Sequence, residues 1–586
     1  MKRCPQCHRV ETDEALKFCR VDGATLVGDA LSIGSEAGPA DLSAGPNASE
    51  VHTSILPQRT ESNINRTTAQ TTVLPAQPAA ARTGGVASPR KQKTATIIAV
   101  LVTAALTVAI AAFVNSYLSR KTTTAIESIA VLPFENRSGS SDSDYLSDGL
   151  ADSLIYRLSQ LANLKVTPTS SVMRYRGKEV DVYAVAKELQ VDAVMSGRLT
   201  QRGDDLSISV QLIDARNDKL IWAEQYERKM SDLLATQREI AEAIVQQLQL
   251  RLAGEKTTGG SKRDTENNAA YQLYLKGQYQ LNKRTEESLT KGVEYFRQAT
   301  EQDPSYALAY SGLADAYNHL GLWAMLPPDE SFPRAKAAAE KALQLDNTLA
   351  EAHAAIAFSK FQYYWDFEGA EREYQQTIKL NPHYVPAHEW HAYHLYLSDP
   401  TRFDAAIQEV KTAQNLDPLS LPLSFQASSL LYFNRKYDEA IAELTKIHDQ
   451  DPNFTLGYGL LGVLYMHKKM PDRAVDAWLK GSSLEGQTVQ SAQDLRDAFK
   501  RSGIDGYLRK HIELLEDESK HRYVSPYFIA LDYAFLGEKD RVFELLERAY
   551  RERSSWLVEL RVDPIWDLLR SDPHYRDLLH RIGYRV

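Results

Sequence analysis

Cysteine is nearly absent from this chain: of 586 residues only three are cysteines, Cys4, Cys7 and Cys19. A disulfide framework over the remaining residues is therefore excluded, and no thiol beyond residue 19 can act as a nucleophile. The sequence contains no G-x-S-x-G elbow, so a hydrolase triad on that pattern is not visible. Gly149 has no G-x-G-x-x-G context, so a nucleotide cradle there is not expected. Nor is there an excess of basic charge. Lysine and arginine number 68 against 77 acidic residues, a net charge of −9, which gives no nucleic-acid signature. Otherwise the composition is ordinary, at 43% hydrophobic and 25% charged, and the length predicts three or four folding units.

Against that background a long apolar run stands out. Residues 94–118, TATIIAVLVTAALTVAIAAFVNSYL, carry no charge. Ten strongly apolar side chains in 97–114, at roughly −0.3 to −0.6 kcal/mol each, favour insertion by about 3 to 6 kcal/mol, and the run is long enough to cross a bilayer. It follows some ninety residues of chain, so it reads as an anchor rather than a cleaved leader. Arg82, Arg90, Lys91 and Lys93 precede it and Arg120 and Lys121 follow it. With the three cysteines on the more basic side, this predicts a cytoplasmic amino terminus and extracytoplasmic carboxyl-terminal domains in a single-pass membrane protein; in a bacterial cell, which the resemblances below imply, these are the inner membrane and the periplasm or cell exterior.

Residues 1–27 present Cys4-Pro5-Gln6-Cys7, a tight turn that aims two thiolates at one ion, and Phe18-Cys19-Arg20-Val21-Asp22-Gly23 as a second turn. The frame C-P-x-C…F-C-x-x-D-G-x-x-L resembles the small zinc ribbons that open many bacterial membrane and signalling proteins. A fourth cysteine is missing; Asp22 stands in its place, with His8 as the other candidate. Cys4, Cys7, Cys19 and Asp22 are thus the expected ligands of a structural zinc ion, a metal-free remnant being the alternative. Residues 28–93, rich in Ser, Thr, Ala, Pro and Gly, are expected to be a disordered linker.

From 126 to 253 the patterning alternates in type. Apolar strands are expected at 128–134, 164–167 and 193–200, an alternating strand at 206–213 and another at 219–226. Helical spacing occupies 145–161, 180–189 and 230–252. The order β-α-β-α-β-β-β-α predicts a small mixed sheet with helices packed on it. The segments Ile129-Ala130-Val131-Leu132-Pro133-Phe134-Glu135-Asn136, Tyr145-Leu146-Ser147-Asp148-Gly149-Leu150-Ala151-Asp152-Ser153-Leu154, Gly197-Arg198-Leu199 and Trp222-Ala223-Glu224 resemble the TolB-like, or FlgO-like, amino-terminal domain. That resemblance implies an envelope protein or multi-domain bacterial receptor, with the domain set between a membrane span and tetratricopeptide repeats. In some relatives an adenylate cyclase, a winged-helix domain or a kinase lies on the cytoplasmic side. The acidic run Asp142, Asp144, Asp148 and Asp152 reads as helix capping and solvated surface, with a cation site as the lesser possibility.

A hinge is expected at 254–267, then helical repeats over 268–586. Asp303-Pro304, Asp346-Asn347, Asn381-Pro382, Asp417-Pro418 and Asp451-Pro452 recur at intervals of 43, 35, 36 and 34. A period near 34 is that of tetratricopeptide repeats, which hide their apolar faces only by stacking. Ala309, Ala352, Ala387, Leu423 and Gly457, and then Ala338, Ala370, Ala406, Ala440 and Ala474, fall at the phases where helices approach closely. The ending around Val562-Asp563-Pro564-Ile565-Trp566 is expected to be a capping helix. His388, His391 and His394 lie on one helix stripe but do not fit the zincin spacing, so packing is favoured over peptide recognition or metal. The fold class is thus multi-domain: zinc ribbon, single transmembrane helix, α/β TolB-like domain and all-α repeat superhelix. The function that follows is a non-enzymatic, membrane-anchored interaction or signalling protein whose inner repeat surface binds peptide or protein partners. A structural envelope scaffold with a vestigial ribbon is the alternative.

Overall fold

The computed structural model describes residues 126–140, 143–161, 164–248 and 265–585, together with the backbone of three two-residue strands near the amino terminus. The chain divides into two units, Met1–Thr123 and Thr124–Val586. In the first, β1 (Lys2–Arg3) pairs antiparallel with both β2 (Val10–Glu11) and β3 (Val27–Gly28). The expected zinc ligands Cys4, Cys7, Cys19 and Asp22, and nearly all of the expected linker, lie outside the described residues, as does the apolar run 94–118. Among the described residues no helix is long and apolar enough to cross a membrane.

The second unit opens with a six-stranded mixed sheet. Its strands are β4 (Ser128–Val131), β5 (Glu135–Asn136), β6 (Lys165–Val166), β7 (Ala193–Arg202), β8 (Asp205–Asp214) and β9 (Lys219–Lys229). They run in the order β6-β4-β7-β8-β9, with β5 also on β7. Ile129, Ala130 and Val131 are fully buried because β4 lies between two parallel neighbours. The expected strand 128–134 breaks at Pro133, which has no N–H to give the ladder, and pairing resumes at Glu135. Gly197 explains the motif it belongs to: a side chain there would lie 2.8 Å from the Ser209 carbonyl and 3.1 Å from the Phe134 ring, so its absence lets Phe134 lie on the sheet. The β7–β8 hairpin closes through Gly203, whose φ of 61° suits glycine. Helices α1 (Asp144–Ser159), α2 (Thr169–Val172), α3 (Val182–Leu189) and α4 (Leu233–Gln247) accompany the sheet; α1, α3 and α4 fall where helices were expected, while the short α2 and the strand β5 were not in the expected order.

Six helix pairs follow. They are α5 and α6 (Asn268–Leu281, Glu286–Gln302), α7 and α8 (Ala307–Leu322, Pro328–Leu345), and α9 and α10 (Ala350–Ser359, Phe367–Leu380). Then come α11 and α12 (Val385–Ser398, Phe403–Leu416), α13 and α14 (Leu421–Phe433, Tyr437–Gln450), and α15 and α16 (Leu456–His467, Pro471–Leu484). This is a tetratricopeptide-like array: all ten small or apolar positions singled out by the period are buried. The recurring Asp or Asn has a local cause. Its side chain accepts the backbone N–H two residues on, at Ser305, Thr348, His383 and Asn453, fixing the turn between repeats. After the kinked α17 (Val489–Glu518), whose break sits at Ser502 and Gly503, come α18 (Pro526–Leu536), α19 (Lys539–Arg551) and α20 (Pro573–Ile582).

The core does not stop at the sheet. One apolar cluster runs from Ile126 through α1 and α4 into the first repeats as far as Ala352. A side chain at Gly149 on α1 would meet the Leu275 Cβ of α5 at 3.0 Å, so the sheet unit and the first repeat are in close contact.

Candidate recognition surface

The first helices of the repeats form a row, and both ends of that row are covered. At the carboxyl-terminal ends lies the segment that links α19 to α20, two short 3-10 turns, Ser555–Glu559 and Pro564–Leu569. Trp556 Nε1 donates to the Leu322 carbonyl at 3.0 Å, and Arg553 Nη1 to that of Tyr363 at 3.1 Å. Further on, Tyr393 donates to Glu559 at 3.1 Å, Tyr432 donates to Asp563, and Arg435 Nη2 to Asp567 at 2.7 Å. Leu557, Leu560, Trp566 and Leu569 are fully buried in the same core cluster as these repeats. A residue sequence expected to cap the end of the array instead folds back along it.

This fold-back buries two carboxyl groups. Burial pushes Glu559 up to about 8, reinforced by Asp563, and pushes Asp563 up to about 6 although Tyr432 bonds it.

At the opposite ends of the row the α/β unit takes over. The hydroxyls of Ser170 and Ser171 on α2 both donate to the carboxylate of Asp417, one to each oxygen. Asp417 is the fourth of the recurring turn residues, and among the described residues its side chain accepts no hydrogen bond from the backbone N–H two residues on. Burial raises it above the ordinary carboxylate range. Nearer the sheet, Asn282 donates to Asp152 at 2.9 Å and Tyr271 to Ser153 at 2.9 Å. Arg176 reaches Asp148 at 3.2 Å, Asp144 at 2.8 Å and Tyr279 at 3.3 Å. Burial pushes Asp148 up to about 6 and Asp152 up to about 7. The expectation of solvated caps is thus corrected for both, because α5 covers that stripe of α1. Ser143 occupies the helix-start position, yet its hydroxyl donates to Gln201 at 2.8 Å rather than to the helix. Asp142 lies outside the described residues.

The histidine stripe packs. His388 is buried, with Nδ1 2.6 Å from Glu409 and Nε2 2.9 Å from the Pro382 carbonyl. His353 makes the same two contacts one repeat earlier, to Glu373 at 2.7 Å and the Asn347 carbonyl at 3.1 Å, and the Tyr458 hydroxyl bonds the Pro452 carbonyl at 3.0 Å. The shared phase therefore ties these three first helices to their own turns, and two of them to the second helix of the same repeat. His391 Nε2 and His394 Nε2 lie 3.2 and 3.3 Å from Glu371, and these histidines hold Glu371 far below the ordinary range against its burial. Among the described residues no group of histidine, cysteine and acidic side chains is arranged to hold a metal ion.

Sequence inspection missed Asp417, Glu559 and Asp563 as contact residues. Asp417 shares its Asp-Pro pattern with Asp303 and Asp451, so nothing local distinguishes it.

Comparison with known proteins covers parts of the chain. Residues 124–243 match the second domain of HilA/YgeH-like transcriptional regulators. A putative adenylate cyclase 3 of Rhizobium meliloti is 28% identical over 40% of this chain and 40% of its own length. The transcriptional regulator HilA of Salmonella typhimurium is 22% identical over 55% of this chain and 57% of its own. The chain thus spans about half the length of these relatives. A crystal structure of YrrB, described as a TPR protein with an unusual peptide-binding site, is 20% identical, covering 33% of this chain and 93% of that one with a TM-score of 0.23.

Proposed function

We propose that this is a non-enzymatic, membrane-anchored protein whose α/β and repeat regions recognise protein or peptide partners and contribute to signalling. The observation that carries the reading is the repeat array itself, an extended face of stacked helix pairs held in one unit with the α/β sheet. Because the two ends of the first-helix row are covered by the chain, the partner surface is assigned to the strip between them. That strip carries Glu389, which burial pushes up to about 7 with Asp417 and Asp315 opposing its charge and Arg284 favouring it. A basic side chain of a partner placed beside this carboxyl would favour its charged form.

Likeness to a putative adenylate cyclase and to a transcriptional regulator supports a regulatory role, since the two names differ in output. Residues 94–118 serve as the anchor in this reading, with the amino terminus inside the cell. A zinc ion on Cys4, Cys7, Cys19 and Asp22 would hold the first residues, and three thiolates with a carboxylate suit its chemistry.

The test is crosslinking of full-length protein in its native membrane, followed by identification of captured partners with wild type and with Glu389→Lys. Partners captured by wild type and lost in the variant support the reading. Capture that is indifferent to Glu389, or none at all, overturns it.

A further inference from the structure

Beside the fold-back segment lies a cavity of about 360 Å³ that the interaction role does not use. Its floor is apolar, made by Pro400, Leu579 and the ring faces of Tyr575 and Tyr584. Both tyrosine hydroxyls are turned away to backbone carbonyls, of Leu560 and Val558, and so offer nothing polar to an occupant. Four arginines, Arg561, Arg570, Arg576 and Arg585, complete the lining, and no acidic residue is among the lining residues.

The four guanidinium groups are not equally neutralised. Arg570 is paired with Asp567. Arg585, 95% exposed, has Glu368 at 3.5 Å, a surface pair that contributes little. Arg561 donates to the Ser398 carbonyl and lies over the Tyr584 ring; Arg576 has only the Ser571 carbonyl at 3.5 Å. Neither has a carboxylate within ion-pair distance among the described residues. Carbonyl bonds orient a guanidinium without cancelling its charge, so the cavity keeps a positive rim above an apolar floor.

We propose that this cavity binds a small organic anion, a carboxylate or phosphate monoester on an aromatic or aliphatic body. Guanidinium forks match both oxyanions, the rings and Leu579 receive the body, and the volume falls in the range of small-molecule sites. An acidic peptide needs a longer groove than an open cavity of about 360 Å³ provides.

The test is calorimetric titration of the full-length protein with phenyl phosphate, benzoate and uncharged benzyl alcohol, repeated with Arg576→Glu and in raised salt. Arg576 is exposed and makes no fold-holding bond, so its variant keeps the fold, which circular dichroism verifies. At least one anion is expected to bind while benzyl alcohol does not, with affinity falling about tenfold or more in Arg576→Glu. Tighter binding of phenyl phosphate than benzoate would assign a phosphate ester, and the reverse a carboxylate. Equal binding of benzyl alcohol, an unaffected variant, failure of both anions, or binding of an acidic peptide alone would overturn the proposal.

Discussion

The two covers of the repeat row are built from different materials. At one end of the row the α/β unit holds on through hydroxyls, carboxylates and an arginine, among them Ser170 and Ser171 on Asp417, Asp152 on Asn282 and Arg176 on Tyr279. At the other end the fold-back segment is held by buried bulk, with Trp566, Leu557, Leu560 and Leu569 fully enclosed. Apolar burial is nondirectional and large; a polar seam is directional, and its worth depends on every partner staying in place. The fold-back is therefore part of the array's core, whereas the α/β unit combines an apolar contact with the first repeats with a polar seam at Ser170, Ser171 and Asp417.

Substitutions at the two covers should differ accordingly. Trp566→Ala removes a ring that packs on Tyr527 at a 5.4 Å centroid distance, and it should cost about 3 to 5 kcal/mol in a denaturant titration of the repeats. Asp417→Ala leaves the buried Ser171 hydroxyl, and the exposed one of Ser170, without this partner and should cost about 1 to 3 kcal/mol. That loss should appear as faster hydrogen exchange in Thr169–Val172 while the fold-back stays protected. If Asp417→Ala loosened residues 555–569 instead, the two covers would not be independent. Smaller still is His388→Ala, with a loss of about 1 kcal/mol, matched by His353→Ala because the two make the same pair of contacts. Unequal losses would show that the recurring phase is not energetically equivalent between repeats.

Acidity separates the covers less. Glu559 and Asp563 have carboxyl groups whose folded-state values, about 8 and about 6, lie above those of an unfolded chain. Such groups hold more protons folded than unfolded, so the stability they contribute is complete at pH near 4 and is lost as pH rises through about 6 and about 8. Asp148 and Asp152 act in the same sense at the seam, through about 6 and about 7. Glu559→Gln should flatten the loss between pH 6 and 8.5 in thermal melts, and an unchanged slope would contradict the burial of that carboxyl.

The repeats were legible because their physics is local: an Asp or Asn that caps a turn, then small residues at a fixed phase, recur within each unit. The α/β order was legible for the same reason, each strand and helix carrying its own period. The expected helix over 230–252 shortens to Leu233–Gln247 among the described residues, after a 3-10 turn at Met230–Asp232. What could not be read were contacts closed over long separations. Asp417 meets Ser170 and Ser171 across about 246 residues, and Tyr432 meets Asp563 across 131. No local pattern marks either pair. Glu559 sits in Ser-Trp-Leu-Val-Glu, which gives no sign that its carboxyl is enclosed.

The most direct measurement of the central claim is hydrogen exchange across the full-length chain, resolved by peptide. Residues 555–569 should exchange as slowly as the first helices Ala307–Leu322 and Val385–Ser398 beneath them, and more slowly than Thr169–Val172. Rapid exchange of 555–569 while those helices stay protected would contradict the account.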